Sequence, residues 1–194
     1  MPAGGDGVTH AAVLLLLRAA AEDADQPGVA AAPGGIESPA EILFIKRAER
    51  AGDPWSGHLA FPGGRAEHGD ATLLEIAVRE AAEEVGIHAR EGGRILGRLP
   101  TFRPMSARIP SVTVTPFVAA APPGAVARPQ PEEVQEAFWV SVAALRKIGR
   151  IASVRWEGRD GVREAPAFPS SRGPIWGITE RILSQFLELA GEAP

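Results

Sequence analysis

Residues 61–87 read FPGGRAEHGDATLLEIAVREAAEEVGI, and the reading of this run decides the fold. Its second half has the period of a helix, with Leu74, Val78, Ala81 and Val85 on one stripe. Asp70 stands where an acidic N-cap would stand and Gly86 follows as a stop, so the spacing predicts a helix over Ala71 to Val85. Glu80, Glu83 and Glu84 lie at i, i+3 and i+4, within an arc of roughly 100° that flanks the apolar stripe. Like charges at this spacing repel, by roughly 0.2–0.5 kcal/mol per pair in an isolated helix. A hard divalent cation relieves that repulsion, because magnesium and its like favour oxygen ligands. Taken alone, Arg-Glu-x-x-Glu-Glu is common on solvated, salt-bridged helix faces. The glycine pair Gly63-Gly64 ahead of it points to a tight loop that brings backbone close to a ligand.

Outward from this run, the chain alternates apolar strands with turns. Thr9 to Arg18 is apolar almost throughout, which predicts a strand covered on both faces. Further strands are predicted at Glu41 to Arg47, in a short extended piece ending at Phe61, and around Arg94 to Thr101, Ser111 to Ala121 and Gln135 to Val140. A hairpin is expected over Ile151 to Ala167, turning at Asp160-Gly161. A last helix is expected over Thr179 to Leu189, with Ile182, Phe186 and Leu189 on one side. Residues 22–40 are rich in Ala, Gly and Pro without any period, so a flexible loop is expected there. No internal repeat or second domain is visible. The expectation is one α/β domain over residues 1–194, a mixed sheet sandwiched between α-helices.

Composition narrows the chemistry. There is no cysteine, which excludes disulfides, thiolate metal sites and a cysteine nucleophile and fits a cytoplasmic protein. The formal net charge of -4 lacks the basic footprint expected of a nucleic-acid or membrane-surface binder. The apolar run Val13 to Leu17 is too short to span a bilayer. Neither lysine, Lys46 or Lys147, follows the glycine that a phosphate-cradling P-loop needs, and no histidine precedes a glutamate as in zinc proteases.

The run from Gly64 to Ile87 resembles the Nudix box, which reads Gly, five residues, Glu, seven residues, Arg-Glu, an aliphatic, any residue, Glu-Glu, any residue, Gly, an aliphatic. Gly64, Arg79, Glu80, Glu83, Glu84, Gly86 and Ile87 match it. Two departures are present: the first acid is Asp70, and eight residues separate it from Arg79. Both departures are similar to the coenzyme A pyrophosphohydrolases of the family, which also resemble this chain at Phe61-Pro62-Gly63-Gly64-Arg65, at Leu43, Arg47, Ala48 and Gly57 upstream, and at Ser106, Val112 to Phe117 and Glu132 to Val140 downstream.

The resemblance implies the Nudix fold and a metal-dependent attack of water on a phosphoanhydride of a nucleoside diphosphate derivative, with Mg2+ or Mn2+ as cofactor. It implies that Gly63, through its carbonyl, and Glu83 and Glu84 are metal ligands, and that Glu80 is either a further ligand or the base. Arg79 would orient these acids. Glu133 is a candidate for an outer metal contact or the base. Arg47 and Arg65 are the first candidates for substrate phosphates, since arginine forks match phosphate oxygens. Arg103 and Arg108 follow, and Ser106 belongs to the same substrate-binding set. Trp55, Phe102 and Trp176 are candidates for stacking on a base. The histidines His10, His58, His68 and His88 share no metal-ligand spacing. The expected substrate is coenzyme A or an acyl-CoA, cleaved to 3′,5′-ADP and the 4′-phosphopantetheine. The alternatives are ADP-ribose, another NDP-sugar or a nucleoside triphosphate, or a silent nucleotide-binding regulator. The partner is then a small nucleotide, with no nucleic acid or membrane, and a homodimer is compatible with the family's habits.

Overall fold

The computed structural model describes residues 9–20, 40–53, 55–103, 112–158 and 161–191. The loop expected over residues 22–40 falls outside these but for Ala40, as do Ser106, Arg108 and Asp160.

Strand β1 (Thr9–Ala19) lies at the centre of a seven-stranded mixed sheet. It runs parallel to β6 (Val112–Ala120) from Thr9↔Val112 to Leu17↔Ala120. Its antiparallel partner changes midway. The start of β1 pairs with β4 (Gly63–Arg65), from Ala11↔Arg65 to Val13↔Gly63, and its end pairs with β2 (Ala40–Arg47), from Leu17↔Ile42 to Ala19↔Ala40. Beyond this point β2 pairs with β3 (Leu59–Ala60), while β7 (Val134–Ser141) runs along its length. The bend at Phe61-Pro62 joins β3 to β4, and the Pro62 carbonyl accepts from Leu14 N at 2.8 Å. Strand β5 (Arg94–Arg98) closes the far side against β6.

Alternate residues of β1 feed two different cores, which is why the strand reads as an unbroken apolar run. Ala12, Leu14 and Leu16 join Leu43 and Ile45 under helix α1 (Leu73–Val85), against Ile76, Ala77, Ala81 and Val85. Ala11 and Leu15 join Ile42 and Phe44 on the other face, against Leu145 of α2 (Val142–Ile148) and Ile182, Leu183 and Phe186 of α3 (Gly177–Leu189). The sheet is therefore sandwiched between helices, as expected.

Several boundaries differ from the expectations. Helix α1 begins at Leu73, and its N-cap is Thr72, which accepts from Glu75 N while the Glu75 carboxylate accepts from Thr72 N in a reciprocal capping box. Asp70 is therefore not the cap. The buried face of α1 holds Ile76, Ala77, Glu80, Ala81, Glu84 and Val85, with Leu74 and Val78 only partly covered. Glu80 and Glu84 thus lie inside the buried stripe instead of flanking it. The expected hairpin forms from β8 (Ala152–Gly158) and β9 (Gly161–Phe168), joined by β10 (Ile175–Trp176) in a separate three-stranded sheet. In α3, Leu183 takes the buried place expected of Leu189, which is 52% exposed at the last turn. Among the described residues, no helix is long and apolar enough to cross a membrane.

Candidate active site

The β3–β4 bend and the second half of α1 meet over β1. Strand β4 lies so close to its neighbours that a side chain has no room at either glycine. A Cβ on Gly63 would collide with the Ala12 carbonyl and the Val13 backbone, and one on Gly64 would collide with the Glu80 carboxylate. Gly63 N donates to Glu84 Oε2 at 2.9 Å, which ties the loop to the helix.

Two acids are thereby drawn out of water. Glu84 is 2% exposed and Glu80 9%. Burial pushes the Glu84 carboxyl up to about 8, with Glu80 and Glu133 adding repulsion while the Gly63 amide and Arg47 pull the other way. Burial raises Glu80 as well, opposed by Arg79. Glu133, exposed at the entry to β7, completes a set of three carboxylates, each offering one oxygen within 4.8 Å of the others. Its segment is docked on the end of α1: Gln130 N donates to the Glu84 carbonyl at 2.9 Å and Arg128 N to the Val85 carbonyl at 2.8 Å. The Glu133 carbonyl accepts from Ala48 N at 2.8 Å, beside the end of β2.

Arg79 organises the outer side of this cluster. Its Nε and Nη2 donate to the two Asp70 oxygens at 3.1 Å each, a bidentate fork. Its Nη1 donates to Glu83 at 2.7 Å, its Nη2 to the Arg65 carbonyl at 3.2 Å, and Glu80 Oε1 lies 3.1 Å away. The bond from Arg79 is what chiefly holds the Asp70 carboxyl below its usual range. The shorter acid and longer spacing noted in the sequence thus still deliver a carboxylate to Arg79.

The candidate residues divide accordingly. The structure brings Gly63, Glu80, Glu84 and Glu133 together. Glu83 is largely exposed, with its carboxylate on Arg79 and outside the three-acid set. Arg47 lies near enough to pull down Glu84, with Nη2 on Asp53 at 3.0 Å and a buried Nε without a hydrogen-bond partner. Arg65 contributes its carbonyl to Arg79 and exposes its side chain. Trp176 packs on His58 at 4.9 Å between ring centroids, and Phe102 lies under the Arg181 guanidinium at 4.5 Å. Trp55 is fastened through its amide to Asp53 Oδ1 at 3.0 Å.

Three acids with hard oxygens, two of them buried and mutually repelling, suit a hard divalent cation and not a soft one. A Nudix domain model matches residues 25–159. The chain is 31% identical over 142 residues to the uncharacterized Nudix hydrolase NudL of Klebsiella pneumoniae, a match covering 72% of this chain and 70% of that one. Among solved structures, the Ap4A hydrolase of C. elegans in a binary complex aligns with a TM-score of 0.51 at 20% identity, over 72% of this chain and 85% of that one. The Nudix domain of Shewanella oneidensis NrtR, complexed with ADP ribose, aligns at 0.51 with 15% identity, over 76% and 81%. The chain belongs to the Nudix family and is a Nudix hydrolase, a pyrophosphohydrolase.

Proposed function

We propose that this hydrolase cleaves the pyrophosphate linkage of coenzyme A or an acyl-CoA, giving 3′,5′-ADP and the corresponding 4′-phosphopantetheine. The observation that carries the site is the buried pair Glu80 and Glu84, of which Glu84 accepts from Gly63 N, joined by Glu133. In this reading Glu84 and the Gly63 carbonyl would hold Mg2+ or Mn2+, with Glu83 and one of Glu80 and Glu133 as further ligands. When bound, the cation neutralises phosphate oxygens and activates water at neutral pH. Glu80 or Glu133 accepts the proton of the attacking water, whichever is not held as a ligand. Arg79 keeps these acids oriented through its fork to Asp70. Arg47, held by Asp53, and Arg65 bind the substrate's phosphates, and Ser106 keeps the substrate-binding role that the sequence resemblance implies for it. The choice of coenzyme A rests on the Phe61 to Arg65 run and on the spacing from Asp70 to Arg79. We read the chain as one domain acting on a small nucleotide in the cytoplasm, on its own or as a homodimer.

A substrate panel with product identification tests the substrate. Coenzyme A should yield 3′,5′-ADP, whereas turnover of ADP-ribose to AMP and ribose phosphate, with coenzyme A untouched, would replace it. Glu84→Gln should lower the magnesium-dependent rate by at least about a hundredfold, since metal charge stabilisation contributes several kcal/mol. Full turnover in that variant at saturating magnesium and substrate would sink the assignment of the site.

A further inference from the structure

Glu133 is the exposed member of the acid set. The group that faces it comes from the loop after β2. The Arg50 guanidinium donates through Nε and Nη2 to the Glu132 carbonyl at 3.1 and 2.6 Å, and the same Nη2 lies 3.5 Å from Glu133 Oε1. Arg50 is itself held in place. The Ser56 hydroxyl accepts from Arg50 N at 2.9 Å and donates to Arg50 O at 2.8 Å, and Asp53 N donates to Arg50 O at 3.2 Å. One side chain therefore clamps the peptide before Glu133 and presents positive charge to its carboxylate.

We infer that Arg50 is a positioning residue: it holds Glu133 where its carboxylate meets those of Glu80 and Glu84, and so tunes the cation site without touching the cation. The physical reason is the cost of confinement. An exposed glutamate loses rotamer freedom when it becomes a ligand. A guanidinium fork that is rigid beforehand reduces what remains to be lost. Partners that orient metal ligands in this way typically change metal affinity by about 10–100-fold when removed. The contact is half exposed, so the lower end of that range is expected here.

The inference rests on Glu133 being a metal ligand, and the experiment separates the two ideas. Binding of Mn2+ alone to the full chain is followed by the EPR signal of the free ion, with no nucleotide present. Arg50→Ala should weaken Mn2+ binding about tenfold, and Arg50→Gln, which keeps much of the side chain's length, guards against a variant that folds poorly. Glu133→Gln should weaken binding at least as much. In the Glu133→Gln background, Arg50→Ala should add less than about twofold, because its effect runs through Glu133. If Glu133→Gln binds Mn2+ like the parent, the reading of Glu133 as a ligand fails. If Glu133→Gln weakens binding and neither Arg50 variant does, the positioning role fails. The same holds if the Arg50 effect persists undiminished in the Glu133→Gln background, since a merely structural role would behave that way.

Discussion

Gly63 and Gly64 are neighbours, yet a methyl group on each meets a different obstacle. At Gly63 it meets main chain, the Ala12 carbonyl and the Val13 backbone, which cannot move without opening the sheet. At Gly64 it meets the far end of the Glu80 side chain, which can swing away. Gly63→Ala should therefore destabilise the fold, by about 1–3 kcal/mol or more as overpacking does. Gly64→Ala should leave the melting temperature within a few degrees and lower turnover at least tenfold, as displacement of a supporting acid would. Melting curves and rates on the two variants check the contrast, and equal loss of stability in both would refute it. Much of this was legible at the residue scale. Glu80 and Glu84 stand out because their pattern is local. Asp70 was harder to place, since an acid just before a helix also fits a cap, and its fork to Arg79 joins residues nine apart across the helix start. Arg50 and Glu133 are separated by 83 positions, and no local spacing links them.

At the scale of elements, long periodic segments were readable and short ones were not. Strands β1, β2, β6 and β7 and helices α1 and α3 all lie where their apolar periods place them, within a few residues. Strand β4 has three residues and β10 two, too few for any period, and both exist only because a neighbouring strand accepts them. Helix α2, seven residues capped by Ser141, is hidden in the sequence for the same reason. The start of α1 did carry a signal, Thr72-Leu73-Leu74-Glu75, which is a capping-box pattern. Thr72→Ala removes the hydroxyl that accepts from Glu75 N and should cost about 1 kcal/mol. Urea midpoints for the variant and parent give this difference. An unchanged midpoint would mean that packing of Ile76 and Ala77 alone sets the helix start.

For the molecule as a whole, the buried acids should make stability depend on pH and, if they hold the proposed cation, on metal as well. The folded chain holds a proton on Glu84 up to about pH 8, against 4.5 for the ordinary carboxyl, so it binds that proton more tightly than the unfolded chain. The associated stability is complete below pH 4.5 and is lost as pH climbs through about 8, and Glu80 adds to it in the same direction. Metal-free protein should show urea midpoints that carry this loss over that interval, while saturating magnesium should flatten the slope by taking the proton's place. A slope that magnesium leaves unaltered would separate these carboxylates from cation binding. The mid-strand exchange of partners in β1 has a consequence of another kind. Because the glycine pair is paired into the central strand, it shares the strand's resistance to opening instead of a surface loop's freedom. The floor of the candidate active site thus shares the central sheet's resistance to opening.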